Sequence, residues 1–318
     1  MALSLGVMMV AGPVAAQNWS MATAYPEGNF HTQNVRWFVG RVDELTDGEL
    51  TITVHSGASL YGMAELKRAL RTGQIQMAEF FLSAYGNEDP IYEIDSLPFL
   101  ATSQEQARKL YDLQKPMLEE RFEQEGLVPL YSVPWPGNTL YTKNLVEKVS
   151  DLEGVRMRGQ TAIVARLAEL TGANAVDVQF VDVPQAFETG VIEAMWTAGT
   201  TGVDTQSWEY TNYFYDMSAY QPKNMVAVNA DAWSSLSEDV QGALMQASME
   251  AEKRGWQRAA ELQTEAKATL AENGMNVVEP SETLMEELQA IGNTMIDEFL
   301  EGAGADAEKI VRELKQND

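Results

Sequence analysis

The chain has 318 residues, of which 47 are Asp or Glu and 22 are Lys or Arg, so its formal net charge is −25. This balance argues against nucleic acid or an anionic membrane surface as a partner, because both attract a positively charged protein. The chain has no cysteine, which excludes disulfides, thiol nucleophiles and Cys-ligated metals. Its length fits about two domains, and its two histidines, His31 and His55, are interpreted as structural or surface residues.

Residues 1–16 have the composition of a secretory signal peptide. Residues 2–10 are nearly all apolar, Gly12 and Pro13 interrupt the run, and residues 14–16 are small side chains of the kind found at a cleavage site. The stretch is too short to span a bilayer. We therefore predict a protein exported to the periplasm; the alternative is a disordered or tag-like leader.

From residue 19 the sequence alternates between strand and helix patterns. Alternating apolar residues predict strands at 19–25, 50–55 and 74–82, and apolar residues on one face predict helices at 29–45 and 63–71. A β-α-β-α-β order implies parallel strands joined by right-handed crossovers.

The same order recurs in the second half of the chain. The pattern predicts strands at 155–158, 175–180 and 191–196, with helices beginning at 161 and covering 183–188. Residues 69–75 and 186–192 also match each other at their Ala, Thr-Gly and Ile positions. Two equivalent units predict two similar α/β lobes.

The last third of the chain is predicted to be mostly helical. A helix that begins at Ser237 meets no proline before Asn273, so it would be about 50 Å long at ~1.5 Å per residue. Its apolar positions hold no sustained heptad, which favours a strut lying across both lobes over a coiled coil. A short strand at 277–278, a helix from 280–282 and a final helix after 302–304 follow.

Arg158 ends the predicted strand at 155–158, directly before a helix. Ligands of open α/β sheets bind at the carboxyl ends of the strands. An arginine suits that place because its planar guanidinium holds a carboxylate through two parallel hydrogen bonds. We interpret Arg158 as a candidate carboxylate-binding residue; from spacing alone, the alternative is a solvated arginine at a strand end.

Four segments resemble motifs of the extracytoplasmic solute receptors of tripartite ATP-independent periplasmic (TRAP) transporters. Residues 151–158, DLEGVRMR, are similar to the signature DLKGLKIR, and Arg158 falls on its final arginine. Residues 182–193 resemble EVYTALQTGVVDG, residues 95–100 resemble the D-LPF segment, and residues 226–236 resemble VVN..W..L. These matches follow the same order over essentially the whole predicted mature chain.

The resemblance implies an α/β fold of the periplasmic-binding-protein type. Such receptors have two α/β lobes around a ligand cleft, joined by crossing strands, with a long helix spanning both lobes. For this chain we predict lobe I at 17–138 plus 226–262 and lobe II at 139–225 plus 263–318, after the signal peptide at 1–16.

The resemblance also implies ligand-binding residues. The signature arginine of the family clamps the ligand carboxylate, and this role carries over to Arg158. The asparagine contact of many members falls on Thr197, beside Trp196, and the second arginine of some acid-sugar-binding members falls on Asn138. The aromatic candidates are Tyr25, Phe81, Trp135 and Phe180. Each aromatic ring has the alternative role of a core residue, and we predict no metal site and no cofactor.

One cation, a few amide or hydroxyl groups and several rings favour a monocarboxylate ligand with an apolar or aromatic body. The resemblance implies capture by lobe closure and delivery to a TRAP permease with a small and a large membrane subunit. The sequence has no phosphate-loop, paired-histidine or nucleophile-elbow motif, so we do not predict an enzyme. The alternatives are a receptor of an ATP-driven importer and a ligand sensor, but the long helix and the Arg158 signature speak against the importer.

Overall fold

The computed structural model describes residues 17–316, so the predicted signal segment at 1–16 lies outside the described residues. The strands are β1 (Gln17–Thr23), β2 (Leu50–His55), β3 (Met77–Phe81), β4 (Leu127–Pro134), β5 (Asn138–Thr142), β6 (Arg156–Arg158), β7 (Asn174–Val176), β8 (Ala194–Ala198), β9 (Tyr213–Tyr215), β10 (Lys223–Asn229) and β11 (Asn276–Val278). The helices are α1 (Phe30–Leu45), α2 (Met63–Arg71), α3 (Gln104–Gln124), α4 (Ala162–Leu170), α5 (Val183–Glu188), α6 (Gly199–Asp204), α7 (Ala230–Ser234), α8 (Glu238–Glu272) and α9 (Glu282–Lys315).

The strands form two mixed sheets. The first has the order β2-β1-β3-β10-β4, with β1 parallel to β2 and β3 and with β10 antiparallel to β3 and β4. The second has the order β11-β9-β5-β8-β6-β7, with β6 parallel to β7 and β8 and with β5 antiparallel to β8 and β9. The predicted two-lobe α/β class is confirmed, and the residue bounds of the lobes stay a prediction.

Two strands of the second sheet, β7 and β8, differ from their predicted bounds by three or more residues. The strand predicted at 175–180 is shorter, because β7 ends at Val176 and a 3-10 turn covers Phe180–Asp182. The strand predicted at 191–196 is β8, which begins three residues later, at Ala194. The later start of β8 affects which of its side chains reach the cleft.

The chain passes between the two sheets along two segments that lie side by side. It leaves the first sheet between β4 and β5 and returns between β9 and β10. The N–H of Trp135 donates to the carbonyl of Pro222 at 2.8 Å, and the N–H of Asn138 donates to the carbonyl of Tyr220 at 2.8 Å. These paired crossings are where one lobe can turn relative to the other.

Helix α8 spans both halves of the fold, as predicted, over 35 residues. Near its middle, the Asn34 side chain of α1 donates to the Ala251 carbonyl at 3.0 Å. Further along, the Gln263 side chain accepts from the N–H of Gly137 at 2.6 Å, beside a crossing segment. The helix also packs on α6, which follows β8 of the second sheet.

Gly255 lies where α8 packs on β4 and α1. A Cβ there would lie 2.4 Å from Cγ2 of Val133 and 3.1 Å from Nδ2 of Asn34. Because overpacking typically costs about 1–3 kcal/mol, we expect Gly255→Ala to lower the free energy of unfolding by that amount in urea denaturation. The matched control is Gly242→Ala in the same helix, where nothing lies within 4 Å, and a gain of roughly 0.5–1 kcal/mol is expected. Equal effects of the two substitutions would contradict this packing.

Candidate ligand-binding site

A cleft of about 770 Å³ lies between the two sheets, within the usual volume of small-molecule sites. It opens at the carboxyl ends of β1, β3, β6 and β8, the edge at which such sheets bind ligands. Its lining includes Tyr25, Met63, Glu65, Phe81, Trp135, Asn138, Arg158, Gln160, Thr161, Asp177, Phe180, Asp182, Thr197 and Thr201.

Arg158 is the last residue of β6 and lines the cleft, with only 5% of its surface exposed. Its Nε donates to the carbonyl of Val178 at 2.8 Å, which fixes the plane of the guanidinium. Within residues 17–316 no carboxylate forms an ion pair with it. Burial lowers the pKa of Arg158 to about 10, so the group is still charged at neutral pH. The exposed carboxylate of Asp177 raises the pKa at longer range without forming an ion pair. A buried cation without an ion pair is costly, and an anionic ligand would supply one.

The chain turns directly from Arg158 into α4. The Thr161 side chain caps this helix by accepting from the N–H of Val164 at 3.3 Å. Oε1 of Gln160 is buried and has no hydrogen-bond partner within the described part of the chain. The turn therefore places a free amide acceptor and a helix N-terminus, which favours negative charge, next to the guanidinium.

Asn138 and Thr197 reach the cleft from β5 and β8, which pair antiparallel. Nδ2 of Asn138 donates to the carbonyl of Pro136 at 3.4 Å. This hydrogen bond is long, so an acceptor on a ligand can replace it. Thr201 of α6 adds a second hydroxyl beside that of Thr197. These groups can bind an uncharged polar part of a ligand.

Four rings form what we call the aromatic wall: Tyr25, Phe81, Trp135 and Phe180. The ring centroid of Tyr25 lies 5.2 Å from that of Trp135 and 5.5 Å from that of Phe180, both edge to face. Tyr25 follows β1 of the first sheet and Phe180 follows β7 of the second, so this contact bridges the two halves. The two halves are therefore in contact beside the cleft. All four rings line the cleft, and their contact with a ligand stays a prediction.

Trp196 does not line the cleft. Its side chain is fully buried and belongs to the same hydrophobic cluster as Leu140 and Ile163. Neighbouring residues of a strand point to opposite faces, so Thr197 reaches the cleft and Trp196 faces the core. This placement speaks against a contact between Trp196 and the ligand, which stays a prediction.

Three carboxylates line the same cleft as Arg158: Glu65, Asp177 and Asp182. Glu65 accepts from the N–H of Gly62 at 3.2 Å, and Asp177 accepts from the Gln179 side chain at 3.1 Å. A second carboxylate on a ligand would meet these negative charges, and like charges repel. All three side chains are exposed, and they give this part of the cleft a negative charge.

Several cleft residues were absent from the sequence predictions. Gln160 and Thr161 are the second and third residues after the signature arginine, so their closeness to Arg158 was a usable signal. Asp177 and Thr201 come from separate segments, and only the folded chain brings them to the cleft.

Two α/β lobes that enclose a buried, unpaired arginine define a binding protein for a small acidic solute. The chain matches the family of bacterial extracellular solute-binding proteins, family 7 (DctP), over residues 21–302, and it belongs to that family. It is a solute receptor of the TRAP type and not an enzyme. The family is extracytoplasmic, and across residues 17–316 every helix is too short or too polar to cross a membrane.

Two solved structures and one further relative are similar to nearly the whole chain. DctP7 of Bordetella pertussis, an extracytoplasmic solute receptor binding pyroglutamic acid, is 42% identical with a TM-score of 0.93, over 94% of this chain and 100% of its own. A marine metagenome TRAP solute-binding protein specific for pyroglutamate is 36% identical with a TM-score of 0.92, over 95% and 99%. A monocarboxylate 2-oxoacid-binding periplasmic protein of Nostoc sp. is 24% identical over 91% of this chain and 80% of its own.

Proposed function

We propose that this receptor captures pyroglutamate, or a closely related cyclic monocarboxylate, and delivers it to a TRAP permease. The observation that carries the proposal is Arg158, a buried guanidinium in the cleft with no carboxylate partner within residues 17–316. Bordetella receptors that are 42% and 41% identical to this chain bind pyroglutamic acid, which supports this choice among small acids.

The polar groups of the cleft complement those of pyroglutamate. This ligand carries a carboxylate, a lactam N–H and a lactam carbonyl on one small ring. The carboxylate pairs with Arg158, and the lactam N–H donates to the free Oε1 of Gln160. The lactam carbonyl accepts from the Asn138 amide or the Thr197 hydroxyl, while the methylene edge packs on the aromatic wall.

Capture proceeds by closure of the lobes over the ligand. The carboxylate-binding residue Arg158 belongs to the second sheet, and Tyr25 and Phe81 of the aromatic wall belong to the first or follow directly from it. A ligand that contacts both sides binds the closed form better than the open one, so it shifts the population toward closure.

Export and delivery complete the proposal. The predicted signal peptide at 1–16 directs the chain to the periplasm, and the closed receptor presents its ligand to the small and large permease subunits. Uptake of labelled pyroglutamate by proteoliposomes that contain both subunits tests this step. We expect uptake only when the receptor is added, and receptor-independent uptake would contradict it.

Calorimetry on protein stripped of bound ligand by unfolding and refolding tests the ligand assignment. We expect pyroglutamate to bind at least about tenfold, or ~1.4 kcal/mol, more tightly than proline, because proline leaves the buried donors for the lactam carbonyl unpaired. Glutamate is expected to bind more weakly still, since its second carboxylate meets Asp177 and Asp182. Binding of a diacid or a sugar acid without binding of pyroglutamate would overturn the assignment.

A further inference from the structure

Glu79 is a buried carboxyl group behind the aromatic wall. It lies on β3, between β1 and β10, and only 2% of its surface is exposed. One carboxylate oxygen accepts from the hydroxyl of Thr23 and the other from Nδ2 of Asn224. Within the described part of the chain, the basic group beside the carboxyl group is His31, whose Nδ1 lies 3.6 Å from Oε1 of Glu79.

The first connection from Glu79 to the cleft passes through Asn224. Oδ1 of Asn224 accepts from Nε1 of Trp135 at 2.8 Å. An indole nitrogen can only donate, so the amide oxygen of Asn224 must face Trp135 and its NH2 group must face Glu79. Glu79 therefore has to accept at that position, and its acceptor oxygen sets the orientation of the amide that holds the Trp135 ring.

A second connection runs through Thr23 to Tyr25. The Thr23 hydroxyl donates to Glu79, and its oxygen accepts from the backbone N–H of Tyr25 at 3.4 Å. The two connections end on adjacent members of the aromatic wall, since the rings of Tyr25 and Trp135 lie 5.2 Å apart. The ring of His31 packs against both, 6.0 Å from Tyr25 and 4.4 Å from Trp135.

Stability alone does not account for an acid at this place. Burial raises the pKa of Glu79 to about 7 and lowers the pKa of His31, so neither group gains from being charged there. A buried carboxyl group without a full counter-charge destabilises the folded state relative to a well-packed apolar side chain. What the carboxyl group does supply is two acceptor oxygens, one for each connection.

We propose that Glu79 is a positioning residue of the ligand site, which holds Trp135 and Tyr25 in place through Asn224 and Thr23 before the ligand arrives. The proposal rests on the cleft being the ligand site. A pre-formed wall raises affinity because less conformational freedom is lost on binding.

The indole N–H resonance of Trp135 tests the connection without any ligand. The chain has seven tryptophans, and in ¹⁵N-tryptophan-labelled protein the Trp135 signal is assigned as the one that disappears in Trp135→Phe. We expect Glu79→Gln to shift this signal and leave the other six in place. The matched control is Glu93→Gln, at a half-buried carboxyl group whose pKa burial also raises to about 7; it should leave the Trp135 signal unchanged.

A double-mutant cycle on pyroglutamate affinity tests the consequence. We expect Glu79→Gln, which leaves one acceptor oxygen in place of two, to weaken binding about tenfold, as for the loss of one buried hydrogen bond. In the Trp135→Phe background, which lacks the donor, the same change is expected to weaken binding about threefold or less. A merely structural role of Glu79 would give the same factor in both backgrounds.

Thermal melting checks that each variant is folded. If the Glu79→Gln variant does not fold, Asn224→Ala, which removes the connecting amide, replaces it in both experiments. An unmoved Trp135 signal, or equal losses of affinity in the two backgrounds, overturns the proposal. A shifted signal in a protein that does not bind pyroglutamate supports the connection to Trp135 and refutes the ligand assignment instead.

Discussion

Replacing Arg158 with alanine is expected to weaken binding of the carboxylate ligand by about two to three and a half orders of magnitude. Removing one partner of a buried charged pair costs about 3–5 kcal/mol, and each tenfold change in affinity corresponds to about 1.4 kcal/mol. Arg158 is 5% exposed, and within residues 17–316 no carboxylate forms an ion pair with it, although Asp177 acts on it at longer range. The ligand is therefore expected to supply its main counter-charge. Calorimetry with pyroglutamate measures the loss.

Two further variants make this test specific. Arg158→Lys is expected to recover only part of the affinity, because an ammonium lacks the planar fork that holds both carboxylate oxygens. Arg156→Ala is the matched control, since Arg156 lies on the same strand but is exposed and paired with Glu193 at 3.0 Å. Its affinity should equal that of the parent. An Arg158→Ala protein that binds within about threefold, or ~0.65 kcal/mol, of the parent would refute the assignment.

The position of Arg158 was predictable because its signals are local. A short strand, a capping threonine at Thr161 and the helix end at Gly172 all lie within 14 residues of it. The class of fold was predictable for a related reason, since alternating strand and helix patterns leave few arrangements of parallel strands.

Local sequence signals were not sufficient to predict which of Trp196 and Thr197 faces the cleft. In a strand, only one of two neighbouring residues can face the cleft, so a small error in strand placement exchanges the two faces. Strand β8 begins at Ala194 and pairs with both β5 and β6. That pairing turns Thr197 toward the cleft and buries Trp196, and no pattern within the segment encodes it.

Glu79 was missed for a different physical reason. A lone glutamate in a short strand carries no local signal of burial, since glutamate is mostly exposed in folded proteins. Its burial depends on β10, which arrives 145 residues later and brings the amide of Asn224 against it. A contact of that sequence separation leaves no trace in the local pattern around Glu79.

The second large effect is expected at Asp95, which pairs with Lys223 where the chain re-enters the first sheet. Nζ of Lys223 lies 2.8 Å from Oδ2 of Asp95, and both side chains are fully buried. Asp95→Ala would leave a buried ammonium without its counter-charge. We expect it to lower the free energy of unfolding by about 3–5 kcal/mol, as measured by urea denaturation of ligand-free protein.

The double variant Asp95→Ala/Lys223→Met separates the value of the pair from the cost of breaking it. Burial raises the pKa of Asp95 even with Lys223 beside it, so the attraction does not fully offset the loss of hydration. Replacing both charges is therefore expected to restore more than half of the stability that Asp95→Ala removes. Arg258→Ala, at an exposed pair with Glu265 on α8, is the control and should change stability by about 0–1 kcal/mol. Equal losses in the single and double variants would mean that packing around Asp95, and not its charge, stabilises this crossing between the lobes.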